Sequence, residues 1–314
     1  MLSRVAETIY WIGRYLERAE NTARLINVNT NLMLDLPKGA ALGWEPLIHM
    51  LGYESNYAEC HDEVTERRVV NFLISDERNP GSILSTLGYA RENARTIREI
   101  LPREAWEELN AFYHHACDTK QDSYSRDGRH DYLLKIIAGL QRHIGLMAGT
   151  MNHNTAYNFI NLGRKLERAE MTTRIVNMKV ENPILDQETE LQLFQDMLWV
   201  SMLESLGAYQ MYRQSMQTRI NRIGVLTFLF RWKEFPRSLT YCSENITYNL
   251  SCLPNNNEAI KILQHFAKMV KEASISEMDN EILHGFVDQL QICLGELHSM
   301  IAETYFPALM EQEA

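Results

Sequence analysis

One stretch of this chain is written twice. GRYLERAENTARLINV begins at Gly13 and GRKLERAEMTTRIVNM at Gly163. Gly13, Arg14, Leu16, Glu17, Arg18, Ala19, Glu20, Thr22, Arg24 and Asn27 reappear as Gly163, Arg164, Leu166, Glu167, Arg168, Ala169, Glu170, Thr172, Arg174 and Asn177. So many identities in so mixed a stretch exceed chance. Fainter echoes extend the match. WEPLIHMLG from Trp44 resembles WVSMLESLG from Trp199, and NFLISDERNPGSI from Asn71 resembles TFLFRWKEFPRSL from Thr227. Late in each half, Leu133, Leu140 and Gly145 match Leu283, Leu290 and Gly295. A repeating unit of about 150 residues is domain-sized and too long for a solenoid. We expect units 1–150 and 151–314 packed as one fused body. A pseudo-two-fold axis would relate them, with equivalent helices meeting as in an isologous dimer.

The fold class follows from spacing. Apolar residues recur at three and four, strict alternation is rare, and 314 residues contain only 15 Gly and 8 Pro. This predicts an all-α, internally duplicated helical bundle. The first unit reads as six helices, over about 3–34, 44–55, 62–75, 80–100, 103–118 and 129–150, with ends good to ~2–4 residues. The second repeats the series from about 154 to 304. Pro37 and Pro183 end the two motif helices, and Pro80 and Pro102 open helices, where a missing N–H costs nothing.

On a helical wheel, Val5, Ile9, Ile12, Leu16, Ala19, Ala23 and Ile26 form one apolar stripe for the core. Arg14, Glu17, Arg18 and Asn21 form a ridge on the opposite side. Tyr10, Trp11 and Leu25 share that side, which is odd for an open surface. Exposed ion pairs contribute only ~0–1 kcal/mol, so a solvated ridge tolerates any charge order. Yet both copies keep R-x-x-E-R-A-E-x-T-x-R, while Lys165 replaces Tyr15 and Met171 replaces Asn21. We expect the ridge to be covered. Two readings stay open. Glu17 and Glu167 pair with arginines and stitch the halves together, because an unpaired buried charge is costly. Or Arg14, Arg18, Arg164 and Arg168, with Glu17 and Glu167, line a groove that holds a carboxylate or phosphate.

Weaker candidates lie elsewhere. Arg91, Asn93 and Arg95 share the fourth helix, where a surface salt-bridge ladder is the default. Only Glu244 and Asn245 echo that pattern in the second half. NPGS at Asn79–Ser82 and FPRS at Phe235–Ser238 each open a helix with Pro, where free N–H groups can hold an anion, with Arg237 and Ser238 alongside, although ordinary helix starting needs no ligand.

Much is excluded. A net charge of −10 with no Lys/Arg tail disfavours nucleic acid and anionic membrane. No apolar run reaches the ~18 residues of a membrane span. The N-terminus lacks the pattern of a cleavable signal. Five scattered cysteines without a C-x-x-C pair fit reduced thiols in a cytoplasm. EILH at Glu281–His284 has di-iron spacing but no second copy. Phosphate loops, dinucleotide fingerprints and nucleophile elbows are missing. We expect neither metal nor cofactor.

Together LSRVAETIYWIGRYLERAENTARL (Leu2–Leu25), FLISDERNPGSI (Phe72–Ile83), ARENARTIRE (Ala90–Glu99), EAWEELN (Glu104–Asn110), LGRKLERAEMTTRI (Leu162–Ile175) and FPRSL (Phe235–Leu239) resemble the bacterial alpha-E proteins, a family predicted to be helical with a shared Glu-Arg motif. The likeness spans essentially the whole chain. What it implies is contextual. Members tend to be encoded beside, or fused to, circularly permuted ATP-grasp proteins, with transglutaminase-like proteases and N-terminal-nucleophile hydrolases as other neighbours. The resemblance thus implies a non-catalytic accessory that positions substrate for an ATP-grasp amide (peptide) ligase. It supplies no catalytic residue. The alternatives are a stand-alone peptide-modifying enzyme with Glu17 or Glu167 as general base, and a purely structural scaffold.

Overall fold

The computed structural model describes residues 1–35, 43–181 and 191–307. Every regular element among them is helical. The first half holds α1 (Ser3–Asp35), α2 (Glu45–Leu51), α3 (Glu54–Cys60), α4 (Glu66–Ile74), α5 (Ile83–Thr96), α6 (Arg103–Asp118) and α7 (Arg126–Thr150), with a short 3-10 turn at Lys120–Tyr124. The second holds α8 (Thr155–Glu181), α9 (Leu191–Ser205), α10 (Tyr209–Met216), α11 (Arg222–Arg231), α12 (Leu239–Ser251), α13 (Asn257–Glu272) and α14 (Asn280–Tyr305). Pro37 and Pro183 lie outside the described residues. No helix among the described residues is long and apolar enough to cross a membrane.

Two expectations need correction. The helix expected over 44–55 is two helices, because Gly52 adopts a left-handed φ of 72° and ends α2. Gly207, at the end of the resembling stretch WVSMLESLG, has a φ of 61°. Each half therefore carries seven α-helices among the described residues, not six. Pro80 also does not open α5. The cap is Ser82, whose Oγ accepts from Ser85 N at 3.2 Å, and Ser238 caps α12 the same way, accepting from Tyr241 N at 3.1 Å.

The long helices α1 and α8 lie at the centre. α5 and α7 pack on α1, and α12 and α14 pack on α8. One apolar core draws on both halves, including Ile9, Ile12 and Leu16 of α1 and Ile160, Leu162 and Leu166 of α8. Two further bonds tie the flanking helices on. His130 of α7 meets Asn27 at 2.8 Å, and His284 of α14 meets Asn177 at 2.7 Å. α1 is covered almost all round, so its ridge is buried along with its stripe.

The two motif glycines set how closely α1 and α8 approach. A Cβ on Gly13 would collide with the Ile160 carbonyl oxygen and lie 3.0 Å from Arg164 N. One on Gly163 would collide with the Tyr10 carbonyl oxygen and lie 3.2 Å from Arg14 N. Backbone touches backbone, and the helices run parallel and in register, motif beside motif. Ordinarily Gly→Ala inside a helix stabilises by ~0.5–1 kcal/mol. Here the sign should reverse. We expect Gly13→Ala and Gly163→Ala each to destabilise by about 2 kcal/mol or more. Gly145→Ala and Gly295→Ala, whose surroundings are open, should be neutral or stabilising. Urea titration of the four variants checks this, and unchanged stability in the first two would refute the close approach.

Candidate functional site

The close approach brings the two ridges together. Glu17 is fully buried and receives Arg168 through both oxygens, Nε to Oε1 at 2.8 Å and Nη2 to Oε2 at 2.6 Å. Glu167, 2% exposed, receives Arg18 the same way at 2.6 and 3.0 Å. Arg14 lies 2.6 Å from Glu167 and forks onto Glu170 at 2.7 and 2.8 Å. Arg14 also stands over the Trp11 ring, 5.9 Å from its centroid. Bidentate guanidinium–carboxylate geometry satisfies both partners without water. Tyr10, fully buried, meets His298 Nδ1 at 2.8 Å and helps seal one end.

Burial alone would raise the Glu17 pKa, but Arg168, Arg237 and Arg164 together hold it well below the usual carboxylate range. Glu167 is likewise lowered against its burial, by Arg14 and Arg18. Both stay ionised, and a strongly held carboxylate is a poor base near neutrality.

Arg237 breaks the reciprocity. It precedes the α12 cap serine and donates to Glu17 at 2.8 Å, Asn21 at 2.6 Å and Glu20 at 3.0 Å. In the matching stretch of the first half its place belongs to Gly81, where a Cβ would collide with the Tyr53 hydroxyl. Tyr53 therefore fills the space that an arginine fills in the second half. With Arg237 and Arg24 on Glu20, Arg164 has no fork of the kind Arg14 makes. Its Nε comes within 3.5 Å of Glu17 Oε2 but makes no hydrogen bond. Burial, then repulsion from Arg168, lower the Arg164 pKa against the pull of Glu17.

Arg164 instead turns an edge to a cavity of about 640 Å³ between α7, α8 and α12, and Lys165 lies beside it. Lys165 is 6% exposed, with no carboxylate at ion-pair distance among the described residues. Its ammonium sits 4.8 Å from the centre of the Tyr241 ring. Burial, then Arg168 and Arg164, push its pKa down to about 7. The sequence signal for Lys165 was its substitution for Tyr15 between otherwise kept positions, which by itself looks like drift.

The secondary candidates do not converge on this site as a group. Arg91 bonds Asn110 at 2.7 Å and Glu92, and faces Trp106 and Tyr113. Asn93 reaches the Thr8 carbonyl oxygen at 3.4 Å, and Arg95 is an exposed partner of Glu92. Ser238 serves as the α12 cap, and of this set Arg237 enters the buried network. Among the described residues no three of His, Cys, Asp and Glu gather as metal ligands.

The chain matches the family model Alpha-E, described as a predicted alpha-helical domain with a conserved ER motif, over residues 1–306. It is 21% identical to uncharacterized proteins of Mycobacterium bovis and Mycobacterium tuberculosis, across 96% of this chain and 36% of theirs. It thus spans about a third of the length of the curated relatives it matches. No solved structure matches it.

Three outcomes test this electrostatic arrangement. Glu17→Gln leaves Arg168 and Arg237 buried without their carboxylate and should cost about 3–5 kcal/mol in denaturant titration. A loss under ~1 kcal/mol would mean the network is solvated. Because the folded pKa values of Glu17 and Glu167 are depressed, their contribution is present above the unfolded carboxylate range. It is lost as pH falls through the folded values, so stability should decline below about pH 5. Lys165 has the opposite consequence. Its folded pKa lies below its unfolded one, so between them the unfolded chain holds the extra proton and stability rises with pH. Lys165→Met should raise Tm, most at pH 6 and least near pH 10.

Proposed function

Because this chain belongs to the Alpha-E family, we propose that it works without catalysis of its own, as a cytoplasmic accessory that positions substrate for a circularly permuted ATP-grasp amide ligase. A transglutaminase-like protease is a second partner of the same system. The observation that carries the reading is the occupancy of Glu17 and Glu167. Both carboxylates are spent on arginines, which removes the general bases a stand-alone peptide-modifying enzyme would need. Relatives about three times as long support it too, since an accessory module can be one part of a longer chain.

In this reading the two halves are copies of one unit, related by a pseudo-two-fold axis between α1 and α8. The reciprocal pairs Glu17–Arg168 and Glu167–Arg18 support that relation. Arg14, Arg18 and Arg168 then act as scaffold, and Arg164 is the ligand-facing member of the motif.

The decisive measurement is affinity purification with a co-expressed ATP-grasp ligase, followed by ligase turnover with and without this protein. Association and a changed turnover are expected. Absence of both would remove the proposal, and turnover by the isolated protein that vanishes in Glu17→Gln would replace it with the enzyme reading.

A further inference from the structure

The cavity beside the ion-pair network is a different environment from its counterpart in the first half. Counting from the motif glycines, Asn161 and Lys165 stand where the first copy has Trp11 and Tyr15. Counting from the cap serines Ser82 and Ser238, Asn245 stands where the first half has Tyr89. In the first half those three rings touch in series, Trp11 stacked on Tyr15 at 5.3 Å and Tyr15 tilted against Tyr89 at 5.4 Å. In the second half an ammonium and two amides line an opening of about 640 Å³, within the usual range for small-molecule sites.

The chemistry of the lining is one-sided. Lys165 and Arg164 contribute two positive groups, and no Asp or Glu among the described residues lines the cavity. A buried ammonium without a carboxylate is costly unless something else supplies the charge. Arg164 keeps its Nε buried against Glu17 but lines the cavity with a side chain that is 18% exposed. Around this positive end sit amides. Asn161 and Asn245 each donate one N–H to their own helix, to Tyr157 O at 3.1 Å and Tyr241 O at 2.9 Å. Asn249 does the same to Asn245 O at 2.6 Å. Each side-chain carbonyl is left as an acceptor for a ligand N–H. The Tyr241 and Tyr248 rings add apolar faces to the wall.

We propose that this cavity is a binding site for the carboxylate end of a small amide-bearing molecule, of which a short peptide is the simplest, with Lys165 and Arg164 holding the carboxylate and Asn161, Asn245 and Asn249 reading the amides. Lys165 supplies a charge-assisted hydrogen bond, and the exposed part of the Arg164 guanidinium adds a second positive group. The site needs no ligase to form. It belongs to the isolated chain, so its failure and the failure of the ligase partnership are separable.

Calorimetry of the purified full chain with N-acetyl-Ala-Ala, N-acetyl-Ala-Ala-amide and inorganic phosphate tests it. The free acid should bind about tenfold or more tightly than the amide. Lys165→Met should cut that preference severalfold, and since it removes an unpaired buried charge it should fold at least as well as the parent. The double variant Lys165→Tyr with Asn245→Tyr, which restores two rings of the first half, should close the cavity and lose binding while keeping its helical circular dichroism. Equal affinity for acid and amide, no binding of the acid at millimolar concentration, or binding unchanged in Lys165→Met would overturn the proposal. Phosphate bound more tightly than the acid would overturn the carboxylate assignment.

Discussion

A layer of glutamate–arginine pairs, closed between two helices that touch backbone to backbone, organises this molecule. Charges of this kind enter a protein interior at a large desolvation cost, and only near-complete pairing makes that tolerable. Gly13 and Gly163 make such pairing possible. Without side chains at the crossing, α1 and α8 approach until each ridge reaches the other's carboxylates. The other helices then serve a shared purpose, since α5, α7, α12 and α14 wrap the pair and keep water from it. A buried ionic layer is weak evidence of stability. Its stronger effect here is on register, because a one-residue slip between α1 and α8 would strand several charges at once.

Departures from reciprocity carry as much information as reciprocity itself. Arg237 stands in the second half where Gly81 and the Tyr53 hydroxyl share a place in the first. By engaging Glu17, Glu20 and Asn21, it takes acceptors Arg164 would otherwise use. One residue thus converts a closed arginine into an open one. Next to it, Lys165 replaces a ring that elsewhere belongs to an aromatic stack. The second half thus has an opening lined by Lys165 and amides where the first half carries three rings in contact.

Not every element was equally legible beforehand. The extent of α1 could be read to within a residue, because thirty-three residues with an unbroken three-and-four pattern admit no other period. The break at Gly52 is not legible in the sequence, since a glycine inside an apolar pattern announces a left-handed turn only when the chain must change direction there. Sequence comparison places Leu133 opposite Leu283 in the final helix of each half. The contacts of His130 with Asn27 and of His284 with Asn177 place the two helices about one turn away from that match, because insertions upstream shift numbering without shifting packing.

Helical periodicity and the twofold occurrence of the motif can be read from residue order alone. Periodicity, composition and a recurring motif are properties of residues in order, and folding is not needed to see them. Which charges pair is set in the folded chain. Glu17 finds its arginines on α8 and just before α12, far away in the chain, and Arg164 is left open because Arg237 arrives from a loop some seventy residues on. Whether a buried charge is satisfied depends on distances of a few tenths of an ångström between segments remote in sequence, and no local pattern encodes those.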